Sequence, residues 1–149
     1  MRLAVIGDGP YRRPLERLAE NLALSGTVSF LGEMDRIGIR DELRAATLFA
    51  NPSHSEGLPV SVLEAAALAV PIVATDVGGT REIILSGCGI LVPPRAPAIL
   101  AEKLIYAIRH PDECRVAAAR ARARTERFFS SPFIVDAYER VLRSIVAHA

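Results

Sequence analysis

The stretch NPSHSEGLPVSVLEAAALAVPIVATDVGGTRE, Asn51 to Glu82, decides how the rest of the chain is read. Leu48 to Ala50 is an apolar run that ends at Asn51-Pro52-Ser53, the pattern of a buried strand entering a loop. Pro59 suits the first turn of a helix, where its missing N–H costs no hydrogen bond. The Ala- and Leu-rich run from there to Ala69 predicts a helix, and Val70-Pro71 stops it. Pro71 to Thr75 reads as a further strand, and Gly78-Gly79 as the turn that follows it.

A helix that starts just after Gly57 is an anion site, because its free amides and its dipole point at whatever sits there. Leu58, Val60 and Ser61 can offer amides; Pro59 cannot. Glu56 stands just before this terminus, and Glu64 follows after seven intervening residues, roughly one turn into the helix. Two carboxylates beside a phosphate pocket do not bind the phosphate. They suit hydroxyl groups attached to it, which carboxylates accept as strong hydrogen bonds. Taken singly, a glutamate in a first turn is commonly a dipole complement, and one before a helix is commonly just solvated. The pairing of Glu56 with Glu64, with Gly57, Pro59 and the Gly78-Gly79 turn around them, is what points to a ligand.

Glu56 and Glu64 in the setting SEGLPVSVLEAAALAVPIVATDVGGTREII resemble the signature of family 4 type retaining glycosyltransferases of the GT-B fold, the glycosyl transferases group 1. The resemblance runs from Leu3-Ala4-Val5-Ile6-Gly7-Asp8-Gly9-Pro10 through Leu91-Val92-Pro93-Pro94. It implies the C-terminal, donor-binding half of such an enzyme. Glu56 would hold the transferred hexose and count as the catalytic residue, and Glu64 would hold the ribose hydroxyls. The amides of Leu58, Val60 and Ser61, with Gly57 before them, would take the diphosphate. Gly7 and Gly9 would line the donor site through their backbone, and the Leu31–Asp35 loop, with Gly32, would touch the nucleobase. No residue of that loop tells uracil from guanine. The implied donor is a UDP- or GDP-sugar, with no cofactor and no bound metal. The implied reaction moves a hexose to an acceptor hydroxyl with retention, in polysaccharide, lipopolysaccharide or glycolipid synthesis.

Working outward, Arg2 to Ile6 is a short apolar strand feeding Gly7-Asp8-Gly9-Pro10. Tyr11 to Leu24 follows as a helix with Leu15, Leu18, Ala19 and Leu22 on one face, ended by Gly26. The position for a third glycine of a GxGxxG fingerprint holds Arg12, so a nicotinamide-dinucleotide reading is weak even though Glu33 mimics its ribose acid. Val28 to Leu31 is the second strand; a helix over Ile39–Ala46, with Leu43 and Ala46 inward, leads to the third. Thr47 stands where the family often carries an acid. Gly89 to Val92 is the fifth strand. Strands alternating with helices at this spacing predict an α/β fold with a parallel, Rossmann-like sheet and helices on both faces. Ligands of such sheets bind at the carboxyl ends of the strands. Gly7, Gly32, Ser53 to Gly57 and Gly78 all fall there.

From Ala96 onward the chain is helical: Ala96 to His110 on Leu100, Leu104 and Ile108, broken by Pro111; Glu113 to Phe129 with five arginines among alanines; Phe133 to Ala147 with an apolar side. The arginine-rich helix lacks the aromatic or leucine face of an interfacial helix and reads as a solvated face. The whole chain reads as one domain, 1–149, of which 96–149 is the helical part. The composition, 50% hydrophobic with a formal net charge of +1, fits a compact globular protein and argues against a nucleic-acid partner. Cys88 and Cys114 lack metal-ligand or CxxC spacing and fit reduced thiols in a cytoplasmic protein. The three histidines, His54, His110 and His148, share no ligand spacing, and His54 is not read as catalytic.

In the family a basic Arg and Lys pair precedes the Leu3 strand, and an acceptor-binding N-terminal domain precedes that. The expectation is a chain without its sheet's first strand, so that the Leu3 and Leu48 strands lose their common neighbour. Such a chain binds donor weakly and transfers nothing alone, and any membrane contact would come only through the other half. The competing readings are a non-catalytic nucleotide-sugar-binding module and a sugar-nucleotide epimerase of the same fold.

Overall fold

The structure is a computed structural model describing residues 1–85 and 87–146. His148 and the end of the helix expected through Ala147 lie outside the described residues. Where the sequence reading takes one domain, the chain divides into two compact units, Met1–Glu42 and Leu43–Ala149.

In the first unit β1 (Leu3–Ile6) and β2 (Val28–Gly32) pair in parallel, joined through α1 (Arg12–Asn21). The helix stops earlier than Gly26 predicts. Leu22 caps it and Ala23 turns to φ 55°, so an alanine takes the left-handed position that glycine usually fills. The expected inward face is also thinner: Ala19 is buried, but Leu15, Leu18 and Leu22 are exposed. A two-stranded sheet offers a helix little surface to cover. α2 (Arg36–Ala45) begins three residues before the expected Ile39, because Asp35 Oδ1 accepts the Gly38 amide at 2.8 Å and opens the helix there.

In the second unit β3 (Phe49–Asn51), β4 (Ile72–Thr75) and β5 (Ile90–Val92) form a parallel sheet in the order β3-β4-β5. Their connections are α3 (Val60–Ala67) and the single turn α4 (Thr80–Ile83). All four β4 residues are buried, and successive strand residues point to opposite faces, so both faces of this central strand are covered. Val73 and Val92 pack with Ala107 and Cys114, flanked by Leu48, Ile90, Leu100 and Leu104. α5 (Pro97–Arg109) and α6 (Pro111–Phe128) supply that side. Pro111 ends α5 by starting α6, as its missing N–H allows at a first helical position. Ala118 and Ala121 of α6 are buried, which lets it approach α3 closely. α7 (Ser131–Val146) closes the described chain.

Among the described residues β1-β2 and β3-β4-β5 are separate sheets. Among the described residues no helix is long and apolar enough to cross a membrane.

Candidate functional site

The second unit assembles a site at the carboxyl ends of β3 and β4. Leaving β3, the chain passes through Asn51, which is buried, and reaches Ser53. The Ser53 hydroxyl lies 2.7 Å from Asn51 Oδ1 and 2.7 Å from Glu56 Oε1. From the end of β4, Thr75 Oγ1 donates to the Ser53 carbonyl at 2.6 Å. Four residues later the Gly79 amide donates to the Gly57 carbonyl at 2.6 Å. The β3–α3 loop is therefore tied twice to the loop that follows β4.

Gly78 shows how close the two loops run. Its φ is +48°, and a Cβ there would lie 1.8 Å from the Glu56 carbonyl oxygen. Only glycine fits, both for its backbone conformation and for the space. At Gly57, by contrast, an added Cβ would meet nothing within 4 Å, and the residue is exposed. The Gly78-Gly79 turn thus runs close against the Glu56–Gly57 backbone.

Pro59 caps α3 from an extended conformation, φ −72° and ψ 110°. The first intrahelical bond runs from the Leu63 amide to the Pro59 carbonyl, so the Val60 and Ser61 amides are left pointing out of the helix start. Val60, Ser61 and Leu58 are all exposed. Glu64 is the fifth residue of α3, one turn in, and half-buried like Glu56. The helix is two residues shorter than expected, because Leu68 caps it and Ala69 adopts φ 54° before Pro71.

Glu56, Gly57, Leu58, Val60, Ser61 and Glu64 thus lie on one continuous loop and helix start. His54 is exposed beside them. Gly7, Gly9 and Gly32 belong to the first unit. There Gly7 and Gly32 bridge through a 2.7 Å hydrogen bond from the Gly7 amide, at φ 119° and 73°, and a Cβ at Gly7 or Gly9 would meet open space.

Several contributors escape the sequence reading. Arg12 clasps the Gly7-Asp8-Gly9 turn: it donates to Asp8 at 2.8 Å, to Glu16 at 2.9 Å and to the Phe30 carbonyl at 3.3 Å. The Gly9 amide, then Arg12, holds the Asp8 carboxyl below its usual range. Arg124, expected on a solvated face, donates from Nε and Nη2 to the Glu82 carbonyl at 3.0 and 2.8 Å. Glu82 therefore serves structure through its backbone. Ser53 and Thr75 leave no pattern of their own, since each bond closes between segments far apart in sequence or over a single loop.

A cavity of about 440 Å3 lies elsewhere in this unit, at the opposite ends of β3 and β4, between Leu48, Pro71, Ala107 and Cys114. Among the described residues its lining carries no carboxylate, so it is a poor match to the chemistry of the Glu56 loop.

Residues 1–124 match the family described as Glycosyl transferases group 1. The chain is 33% identical to the D-inositol 3-phosphate glycosyltransferase of Gordonia bronchialis, over 99% of this chain and 34% of that protein. It is 31% identical to a GDP-mannose-dependent phosphatidylinositol monomannoside mannosyltransferase of Corynebacterium glutamicum, over 96% of this chain and 39% of that one. Among solved structures, Anabaena HepE in complex with UDP-glucose superposes with a TM-score of 0.83 at 25% identity, covering 98% of this chain and 41% of its own. The chain belongs to the group 1 glycosyl transferases and has the architecture of the C-terminal half of a GT-B protein. It spans between a third and two fifths of the length of these curated relatives.

Proposed function

We propose that this chain is the donor-binding part of a retaining glycosyltransferase, taking a hexose from a UDP- or GDP-sugar for transfer to an acceptor hydroxyl. The observation that carries the reading is the Glu56–Glu64 segment itself. It offers one carboxylate at the loop, a second one turn into α3, and outward helix-start amides between them.

In this reading the amides of Leu58, Val60 and Ser61 receive the diphosphate, and stabilise the charge that grows on it as the bond to the anomeric carbon breaks. Glu56 accepts hydrogen bonds from the hexose hydroxyls and Glu64 from the ribose. No cofactor takes part in this scheme, and the acceptor is a saccharide or glycolipid precursor. The relatives that act on inositol phosphate and on a mannosyl lipid support the transferase class. The UDP-glucose bound to Anabaena HepE supports the donor class.

Calorimetric titration of the chain with UDP, GDP, UDP-glucose and GDP-mannose tests this, beside a Glu64→Ala variant. Saturable binding to one nucleotide pair, weakened in the variant, is the expected result. A folded chain that binds none of the four refutes the reading. Turnover of a donor into an epimer, rather than transfer, would favour the epimerase.

A further inference from the structure

We infer that Ser53 is a positioning residue for Glu56, and that it decides which carboxylate oxygen is presented to a sugar hydroxyl. The inference rests on the donor-site reading above and adds to it a residue outside the Glu56–Glu64 signature.

A hydroxyl has one proton to donate, and Ser53 Oγ sits 2.7 Å from two acceptor positions. The carboxylate, carrying charge, is the stronger acceptor, so the proton goes to Glu56 Oε1. Asn51 Oδ1 lies 2.7 Å from the same hydroxyl, and with the single proton committed to Glu56 a turned Asn51 amide would place Nδ2–H there as donor to Ser53. The buried Asn51 thus orients Ser53, and Ser53 orients Glu56. Thr75 fixes the Ser53 backbone at 2.6 Å from the other strand, and the contact of Gly78 with the Glu56 carbonyl fixes the Glu56 backbone.

The outcome is an asymmetric carboxylate. Oε1 is held, while among the described residues Oε2 takes no hydrogen bond. A glutamate in a loop otherwise samples many rotamers, and immobilising it on ligand binding would cost affinity. Here that ordering is completed before the ligand arrives. Ser53 matters for the sugar and not for the nucleotide, because, among the described residues, Glu56 is the one proposed ligand-holding group that its hydroxyl touches.

The test compares wild type, Ser53→Ala, Ser53→Thr and Glu56→Gln in calorimetric titrations with UDP against UDP-glucose and GDP against GDP-mannose. Ser53→Ala is expected to lose about tenfold in affinity for the sugar conjugate, the scale of one hydrogen bond to a charged group, with the nucleotide affinity unchanged. Ser53→Thr, which keeps the hydroxyl, restores the preference. Full sugar preference in Ser53→Ala overturns the inference, and so does an equal loss of nucleotide and conjugate, which would make Ser53 a loop support only. If wild type shows no sugar increment, the donor reading fails, and side-chain scalar couplings of Glu56 in the ligand-free chain decide the positioning separately. One rotamer in wild type and averaging in Ser53→Ala uphold it; equal order in both overturns it.

Discussion

Replacing Gly78 by alanine strikes the point where the two loops of the site meet. The new Cβ would lie 1.8 Å from the Glu56 carbonyl oxygen, 2.8 Å from its carbon and 3.1 Å from the Gly57 oxygen. These are backbone atoms, so no side chain can swing aside. The loops must part by more than an ångström, at the expense of the 2.6 Å bond from the Gly79 amide to the Gly57 carbonyl. The left-handed φ of +48° adds about 1 kcal/mol for a residue with a Cβ. Overpacking of this kind costs about 1–3 kcal/mol, and the lost hydrogen bond about 1 kcal/mol. The sum is roughly 3–5 kcal/mol, a large part of a domain's stability. Gly57→Ala is the matched control, since its Cβ meets nothing within 4 Å, and its effect should stay within about 0.5 kcal/mol. Urea unfolding followed by circular dichroism measures both. Equal stability of the two variants would refute the close loop contact on which the geometry of Glu56 depends.

Other outcomes follow from the same structure. Thr80 Oγ1 is buried and has no partner among the described residues, so Thr80→Val should be neutral or stabilising by about 1 kcal/mol in urea unfolding. Ile83 is fully buried, and Ile83→Ala should cost about 2–5 kcal/mol by the same measurement. Asp8 is held below its usual range by the Gly9 amide and Arg12, so its contribution is complete at neutral pH and is lost as pH falls below about 4. Asp8→Asn should therefore flatten the acid side of a melting-temperature profile. Cys114 is buried, and burial pushes its thiol up, so a thiol reagent should modify it far more slowly in the folded chain than in urea.

The order of strands and helices was legible because the buried strands and the prolines beside them carry local signals. Leu48–Ala50, Pro71–Thr75 and the proline at α3 all carry their signal within a few residues. Helix ends were harder. Ala23 and Ala69 take left-handed conformations that alanine does not advertise, and Asp35 capped α2 before its apolar pattern began. The loss of a covered face on α1 was invisible for another reason: periodicity shows which side of a helix is apolar, not whether a sheet is there to meet it. In the site, Glu56 and Glu64 were legible from their setting. Ser53, Thr75 and Arg12 were not, because their roles are contacts that exist only once β3 and β4, or α1 and β2, lie side by side.

Amide chemical-shift mapping during titration with UDP-glucose and with GDP-mannose tests the central claim most directly. Saturable shifts concentrated on Glu56, Gly57, Leu58, Val60, Ser61 and Glu64 are expected with at least one donor. Shifts centred on Leu48, Ala107 and Cys114 at the opposite end of the sheet, or none in a folded chain, would contradict it.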